Sequence, residues 1–505
     1  MFLLYLFLFL SALFVFLKRK HSYWSRRGVA QIEPEFFFGN VKKVVLQQTN
    51  IDTVIQGMYH EFKKRNAKSG GLYMMYNPNW IPVDVELIKQ IMTTDYEYFG
   101  AHGFYHDESD NLTMNLFNLN GAQWKNLRAK LSPTFTSGKL KLMFDIVNTI
   151  SDRIVSNVDK LCKKRQPIEV KEFTAQFGTD VTAICFFGLD CNSMEEPNND
   201  LRKNGRLFTQ MRPIRIWLEQ NFNWKLLARL GYTFVPSDLI KFFNGIAKNS
   251  IEYREKNNIS RKDYLNLLIQ LKNKGTLDGD GNVKETTKGN DMLTFDEVVG
   301  NMFLMYVAGF ETSSTTTTYL LYEIAKNQDI QNKCRQEILK IFENRADNSL
   351  TYEDLAEMKY CEMCIYESLR RHMPVPEVPR MCTKDYKIPG TDQVVEKNTL
   401  VLIPGFSVHN DPDYYPNPSV YDPERFNEAN KQTRPDFAFL GFGGGPRYCL
   451  GFRFAIMQIK IALVKYLTNY RYTLNPKTPK VLEYVSNSLF LTAKCDILLD
   501  ITKIK

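Results

Sequence analysis

Residues 442–451 read Phe-Gly-Gly-Gly-Pro-Arg-Tyr-Cys-Leu-Gly and place Cys449 directly after a glycine-rich turn. Glycines remove side chains where backbone approaches a flat ligand closely or turns with φ above zero, and Pro446 restricts the turn further. Over residues 450–470 apolar residues recur every three or four positions, which predicts a buried helix that begins beside the cysteine. A helix N-terminus and the charge of Arg447 both favour the thiolate over the thiol.

A lone thiolate with free access to one face can bind a metal whose opposite face stays open. Haem iron is such a metal, because a thiolate ligand donates electron density that favours O–O bond cleavage. The guanidinium of Arg447 would also suit a carboxylate on the bound group. The alternative is a glycine-rich surface turn that contains an inert cysteine.

A second candidate site lies in the middle of a long helix. Residues 294–297 form a predicted capping box, and apolar and small residues continue from there for a helix about 50 Å long. Its centre contains Ala308, Gly309, Glu311 and Thr312. A glycine and a buried acid both cost stability in a helix interior, so their combination predicts a functional role. Ala308 and Gly309 would leave room for dioxygen, Thr312 would offer a hydroxyl and Glu311 would relay protons.

Two other interpretations of this helix are open. One is a threonine-rich packing face whose acid points to water. The other is a second membrane span, which is disfavoured because Glu311 and the following Ser/Thr run interrupt the apolar stretch before about 18 residues.

Pairs of charged and polar residues at helical spacing form further candidate sites. Trp124 and Arg128 stand four residues apart and predict an indole N–H and a guanidinium on one helix face. Glu367 and Arg370 stand three residues apart and predict an ion pair on another helix.

Together with Arg380 and with Arg425 of a Pro-Glu-Arg-Phe segment, these motifs occur in an order that resembles the cytochrome P450 family, the haem-thiolate monooxygenases. The segments FTSGKLKLMF and RMCTKDYKIPGT are similar to the insect microsomal branch that metabolises xenobiotics. The resemblance spans nearly the whole chain. It implies a mainly α fold with small β sheets, in a single large catalytic domain behind an N-terminal membrane anchor.

The resemblance also implies a role for each motif. Cys449 would be the axial ligand of haem b, in a loop that includes Phe442, Gly443, Arg447 and Gly451. The haem propionates would bind Trp124, Arg128, Arg380 and Arg447. Oxygen activation would fall to Ala308, Gly309, Glu311 and Thr312, and a structural lock behind the haem would join Glu367, Arg370 and Arg425.

The implied reaction inserts one atom of dioxygen into an apolar substrate and reduces the other to water. Electrons would come from NADPH through a membrane-bound NADPH-cytochrome P450 reductase, with cytochrome b5 as a second electron donor. An acidic face of the reductase would meet basic residues on the cysteine side, with Lys125, Lys130, Arg434 and Arg453 as candidates. Substrate contacts would lie in residues 99–117, 208–217, 303–312, 375–378 and 488–490.

The first seventeen residues are uniformly apolar and are followed at once by Lys18, Arg19 and Lys20. The positive cluster predicts an uncleaved anchor with the rest of the chain on the cytoplasmic side, and so an enzyme of the endoplasmic reticulum membrane. A cleaved signal peptide is the alternative, and it is disfavoured because a basic start and a small-residue cleavage site are both missing. The expected division is an anchor over residues 1–17, a basic linker over 18–40 and the haem-thiolate domain over 41–505.

Composition limits the other function classes. The net charge of +9 is spread among acidic residues rather than gathered in an arm, which argues against a nucleic-acid partner. Nine irregularly spaced cysteines favour a reducing compartment over a disulfide framework. Cys361 and Cys364 are predicted to be buried structural thiols, and residues 273–291 a surface connection.

Two rival functions keep the haem but change the chemistry. An isomerase or dehydratase acting on lipid hydroperoxides needs no proton relay for dioxygen, so Glu311 and Thr312 argue against it. A haem carrier or gas sensor with a cysteine ligand would have no use for an acid and an alcohol above the iron. Consumption of NADPH in the presence of reductase would distinguish this last class.

Overall fold

A computed structural model of the chain describes residues 1–107, 109–209, 224–277, 292–343, 345, 349–486 and 488–504. Its α-helices are α1 Phe2–His21, α2 Lys42–Val45, α3 Ile51–Lys64, α4 Val85–Met92, α5 Tyr96–Phe99, α6 Gly121–Leu131, α7 Ser137–Lys163, α8 Val170–Thr182, α9 Asp200–Thr209, α10 Trp224–Arg229, α11 Ser237–Lys256, α12 Tyr264–Lys274, α13 Phe295–Lys326, α14 Gln328–Phe342, α15 Lys359–Arg371, α16 Gly405–His409, α17 Glu428–Lys431 and α18 Phe452–Leu467. Its strands are β1 Ser69–Met74, β2 Asn77–Pro82, β3 Ile168–Glu169, β4 Val378–Met381, β5 Tyr386–Lys387, β6 Val394–Val395, β7 Leu400–Ile403, β8 Tyr470–Leu474 and β9 Leu498–Lys503.

The long helix α13 is the central element of the larger hydrophobic core. Its predicted capping box is confirmed, since the Thr294 hydroxyl accepts from the Glu297 N–H at 3.1 Å and the Glu297 carboxylate accepts from the Thr294 N–H at 2.9 Å. Helix α8 packs closely along it, and a side chain at Gly178 would meet the Phe310 carbonyl oxygen at 3.0 Å. Most of α13 is buried, which confirms a core helix rather than a second membrane span.

The strands form three small sheets, in the orders β1-β2-β7-β4, β3-β9-β8 and β5-β6. The mainly α fold with small β sheets is therefore confirmed. The sequence over residues 481–501 is strand-like, but the named strand β9 begins only at Leu498, and before it Tyr484 and Ala493 form an isolated antiparallel bridge. The segment before it is tied to other elements instead: Leu491 donates to the Pro374 carbonyl at 3.0 Å and accepts from the Tyr319 hydroxyl at 2.9 Å. Of the predicted connection at 273–291, residues 278–291 lie outside the described residues.

A second, smaller core surrounds the four-stranded sheet and includes the chain that follows α1. Helix α1 is long and apolar enough to cross a membrane, with a mean hydropathy of 2.0 over its most apolar window. At its end His21 bonds the Met75 carbonyl oxygen at 3.0 Å, and Trp24 is fully buried. The basic segment after the helix therefore packs on the sheet at the β1–β2 turn.

Candidate active site

The cysteine loop is a tight turn that glycines make possible. Gly443 and Gly445 have φ of +74° and +64°, and a side chain at Gly445 would overlap the Met92 carbonyl oxygen. The Cys449 N–H donates to the Phe442 carbonyl at 3.0 Å and closes the turn. Gly451 is the N-cap of α18, so the predicted helix begins at Phe452, three residues beyond the cysteine.

The Cys449 thiol is accessible to solvent, although burial by the surrounding protein raises its pKa. The sulfur is therefore accessible, while the protein around it disfavours the charged thiolate. The Gly451 N–H and the guanidinium of Arg128 act against burial and lower the pKa of the thiol. The helix N-terminus thus faces the sulfur as expected.

The cation that acts on this thiol is Arg128, and the expectation that Arg447 does so is wrong. Arg447 extends away from the cysteine, with its guanidinium 4.1 Å from the centroid of the Trp124 ring. It donates to the carbonyl oxygens of Gly100 at 2.8 Å and Leu119 at 2.7 Å, and to that of Leu116 at 3.1 Å. Arg128 instead reaches the Tyr448 carbonyl oxygen beside the cysteine at 3.0 Å.

Arg128, Arg380 and Arg447 form a cluster of positive charge, in which Arg380 and Arg447 are buried and Arg128 is half-buried. Burial lowers the pKa of all three, and the mutual repulsion of Arg380 and Arg447 helps to lower that of Arg380 to about 10. Among the described residues no carboxylate lies within 4 Å of any of them. Arg380 donates to the neighbouring Pro379 carbonyl at 2.8 Å. Such a cluster fits a ligand with carboxylate groups, as haem has.

Tyr96 and His102 belong to this cluster, to which the sequence analysis assigned neither of them. Tyr96 interacts with all three arginines, and its ring lies 5.7 Å from that of Trp124. His102 is buried, bonds the Phe117 carbonyl oxygen through Nδ1 at 2.8 Å, and has its pKa lowered by burial and by the charges of Arg380 and Arg447. Neither residue stands in a motif, so the sequence contained no signal for them.

The centre of α13 presents Ala308 to open space although most of the helix is buried. The Thr312 hydroxyl donates to the Ala308 carbonyl at 2.6 Å, so it lies on the same side of the helix. The expectation that Gly309 also leaves room for dioxygen is wrong. A side chain at Gly309 would meet Thr182 Cγ2 at 2.8 Å, because the next residue of a helix points about 100° away and here faces the packed helix α8.

Glu311 faces charged side chains of α8 and α9 rather than bulk water. Burial raises the pKa of its carboxyl, while Lys171, Arg202 and Arg206 lower it. Arg202 is itself buried and pairs with Glu172 at 2.8 Å. This setting argues against the alternative of an acid that points to solvent.

The Glu367 and Arg370 side chains are fully buried and form a bidentate pair, with N–O distances of 2.7 and 2.8 Å. Glu367 also accepts from the Asp422 N–H at 3.0 Å. Arg425 approaches Glu367 to 3.6 Å and donates to the Pro416 carbonyl at 2.7 Å. The structure therefore brings the three residues of the expected lock together.

A family model described as Cytochrome P450 matches residues 32–499. Cytochrome P450 6k1 of Blattella germanica is 38% identical over 503 residues, covering 97% of this chain and 95% of that protein. Cytochrome P450 6a2 of Drosophila melanogaster is 38% identical over 514 residues, covering 99% of each. The chain belongs to the cytochrome P450 family. As a P450 it is a haem-thiolate monooxygenase, and the resemblance to the insect branch is confirmed.

The four basic residues expected to meet a redox partner of this P450 differ in exposure. Lys125 and Arg453 are exposed. Lys130 donates to the Met292 carbonyl at 3.1 Å. Arg434 is half-buried, with its guanidinium 4.8 Å from the Tyr415 ring and 5.1 Å from the Phe426 ring, so it serves packing.

Among the other residues of this P450 that the sequence singled out, some are buried in the core and some are exposed. Cys361 and Cys364 are buried, and Cys364 lies 3.4 Å from the Cys334 sulfur, which confirms structural thiols. Phe117, Val375 and Leu489, from three of the expected substrate-contacting ranges, are exposed apolar side chains. Residues 210–217 of a fourth range lie outside the described residues.

Removing one partner of the lock should destabilise this P450 unequally. Glu367→Ala leaves Arg370 buried without a counter-charge and should cost about 3–5 kcal/mol of unfolding free energy. Arg425→Ala removes a longer contact and should cost about 1–2 kcal/mol. Urea unfolding of the haem-loaded protein measures both values, and an equal or larger loss for Arg425→Ala would contradict the geometry.

Proposed function

We propose that Cys449 supplies the axial thiolate of haem b in this P450. The observation that supports this is an accessible cysteine thiol beside Arg128, which belongs to a cluster with the buried Arg380 and Arg447, and none of the three arginines has a carboxylate partner among the described residues. Haem, when bound, supplies an iron at which dioxygen is activated. The Gly451 N–H and Arg128 would stabilise negative charge on the sulfur.

The arginine cluster would hold the two propionates. Arg128 and Arg380 are the closest to free donors, whereas Arg447 is bonded to backbone carbonyls and would contribute mainly its charge. Trp124 would hold the Arg447 guanidinium in place, because its ring packs against that group. Phe442, Gly443 and Gly451 would shape the loop so that the backbone can lie flat against the ring.

The cysteine assignment predicts a spectroscopic result. In the dithionite-reduced protein, carbon monoxide should produce a strongly red-shifted Soret band because a thiolate donates electron density to the iron. Cys449→Ser should lose this band. Cys364→Ser, which changes a buried thiol in the core, should keep it. A wild-type band that ignores the Cys449 change would rule out this residue as the ligand.

Glu311 and Thr312 would deliver protons to the oxygen site. The Thr312 hydroxyl can hold a proton at its Oγ1, since that oxygen donates to Ala308 and retains lone pairs to accept. Glu311 has a raised pKa and lies among the charges of Lys171, Arg202 and Glu172, so it would exchange protons between the interior and the α8–α9 surface. Ala308 would keep the space beside them open, and Gly309 would allow α8 to pack behind.

Thr312→Ala should uncouple the reaction. Product formation should fall about tenfold or more, while NADPH consumption falls less and hydrogen peroxide rises. Thr316→Ala is the matched control, because Thr316 donates to the Thr312 carbonyl one turn along at 2.8 Å and is buried. The measurement is the ratio of peroxide to product per NADPH. The same ratio in both variants would remove Thr312 from this role.

Electrons would come from NADPH through a flavoprotein reductase, with cytochrome b5 as a second donor, and the substrates would be apolar. Xenobiotics fit this description, as do endogenous lipids or hormones. The exposed side chains of Lys125 and Arg453 would meet an acidic face of the reductase. Arg434 is withdrawn from this surface by its aromatic packing.

Reversing these two charges should weaken reductase coupling. Lys125→Glu with Arg453→Glu should raise the reductase concentration needed for half-maximal turnover about tenfold at low salt, and less at high salt. Lys384→Glu, at an exposed lysine in the loop after β4, is the control. Unchanged turnover in the double variant would reject this docking surface.

The chain would be anchored in the endoplasmic reticulum membrane by residues 1–17, with residues 18–40 as a basic linker and residues 41–505 as the catalytic domain. Lys18, Arg19 and Lys20 lie in the last turn of α1 and support a cytoplasmic catalytic domain. Alkaline carbonate should leave the full-length chain in the membrane fraction, and release into the supernatant would argue against the anchor.

A further inference from the structure

A buried histidine at the end of helix α15 joins two distant parts of the chain. His372 Nε2 lies 2.8 Å from a carboxylate oxygen of Glu323 on α13, and its Nδ1 lies 2.8 Å from the Tyr484 hydroxyl. The imidazole ring also stacks on that of Tyr319, with centroids 4.5 Å apart and an angle of 14° between the planes. None of these four residues takes part in the chemistry proposed above.

These hydrogen bonds are made by a neutral imidazole in one tautomer. Burial lowers the pKa of His372, so its ring is uncharged at neutral pH. Burial raises the pKa of Glu323, but the bond to His372 and two nearby cations lower it to about 2, so the carboxylate is ionised. These cations belong to Arg371 and Lys326, each of which approaches the carboxylate to 3.3 Å. The Nε2–H of the imidazole therefore donates to Glu323, and its Nδ1 accepts from the Tyr484 hydroxyl.

The hydroxyl partner of His372 belongs to two chain segments that pair with each other, residues 483–486 and 488–494. Tyr484 and Ala493 form an antiparallel bridge between them. A backbone hydrogen bond of 2.8 Å flanks this bridge on each side. We call the two stretches the paired segments. The bond from Tyr484 to His372 therefore fixes the position of both paired segments relative to α13 and α15.

The paired segments and the chain that follows α15 each present an exposed apolar side chain. Leu489 is 42% exposed and Val375 is 38% exposed. The Leu491 N–H donates to the Pro374 carbonyl at 3.0 Å, so the two stretches adjoin next to these side chains. The Tyr319 hydroxyl donates to the Leu491 carbonyl at 2.9 Å and ties the same point to α13.

The chain that carries Val375 connects the two parts of the proposed haem site. Tyr319 follows Thr312 by seven residues, which is about two helical turns, so both lie on one face of α13 about 10 Å apart along its axis. Arg380 of the arginine cluster follows Val375 by five residues. Val375 therefore lies on the stretch that leads from His372, against the Thr312 face of α13, to the arginine cluster.

We propose that His372 is a positioning residue, which holds Val375 and Leu489 together as one wall of the substrate cavity. An imidazole offers a donor and an acceptor at once, so a single ring joins the paired segments to α13. This inference rests on the proposed haem site and specifies which contacts shape the cavity beside it. An apolar ligand long enough to reach this wall gains affinity from it, whereas a ligand confined to the iron does not.

Two iron-binding ligands of different length test this proposal in the full-length, haem-loaded protein. Imidazole occupies the iron alone, whereas 1-octylimidazole adds an apolar tail, and the Soret shift gives the dissociation constant of each. Tyr484→Phe removes one hydroxyl and should weaken 1-octylimidazole binding about tenfold, with imidazole binding unchanged within about twofold. His372→Ala should do the same. His372→Gln should bind 1-octylimidazole as the wild type does, because an amide retains a donor and an acceptor.

Tyr421→Phe is the matched control, because the Tyr421 hydroxyl donates to the Cys364 carbonyl of the same helix α15 at 2.8 Å, and it should change neither constant. If His372→Ala does not load haem, Tyr484→Phe decides. The proposal is overturned if Tyr484→Phe keeps its affinity for 1-octylimidazole, or loses as much affinity for imidazole. A wild-type protein that binds both ligands equally also overturns it. A wild type that gives no Soret shift with imidazole rejects the proposed haem site itself, so the two failures differ.

Discussion

A cluster of three guanidinium groups, two of them buried and that of Arg128 half-buried, has no carboxylate partner among the described residues and imposes the strongest constraint on this structure. Taking a charge out of water costs several kcal/mol, which the protein must offset with hydrogen bonds or a bound anion. Arg447 obtains its bonds from backbone carbonyls at Gly100, Leu116 and Leu119. The chain between α5 and α6 therefore has to turn its carbonyl oxygens inward, and its irregular course follows from that need.

Glu367 and Arg370 offset the cost of burying a charge by pairing with each other instead of with backbone carbonyls alone. Their two charges neutralise each other through a bidentate contact, and the remaining Arg370 donors reach the His409 and Pro418 carbonyls at 2.8 and 2.9 Å. The paired charges stabilise the packing around them. The arginine cluster, in contrast, has no negative counter-charge among the described residues. This contrast separates the residues that hold the fold from those available to a ligand.

In the central helix α13, adjacent residues have different roles: one lines the side that is open to a ligand and the next allows close packing. Gly309 lets α8 approach, while Ala308, one residue earlier, faces open space. The hydroxyls of Thr312 and Thr316 bond carbonyls one turn before them, so neither leaves an unsatisfied donor inside the helix. A rotation of about 100° per residue is what allows these uses to coexist within one turn.

Local sequence determined the features that depend on spacing within one element. The capping box of α13, the helix after Cys449, the Glu367–Arg370 pair and the family motifs were all predictable, because helical periodicity decides which residues share a face. Only the tertiary structure decided that Arg128 rather than Arg447 acts on the cysteine, that Gly309 faces Thr182, and that Tyr96 joins the arginines. These contacts join residues far apart in the chain, and they depend on how whole elements meet, which no spacing along the sequence specifies.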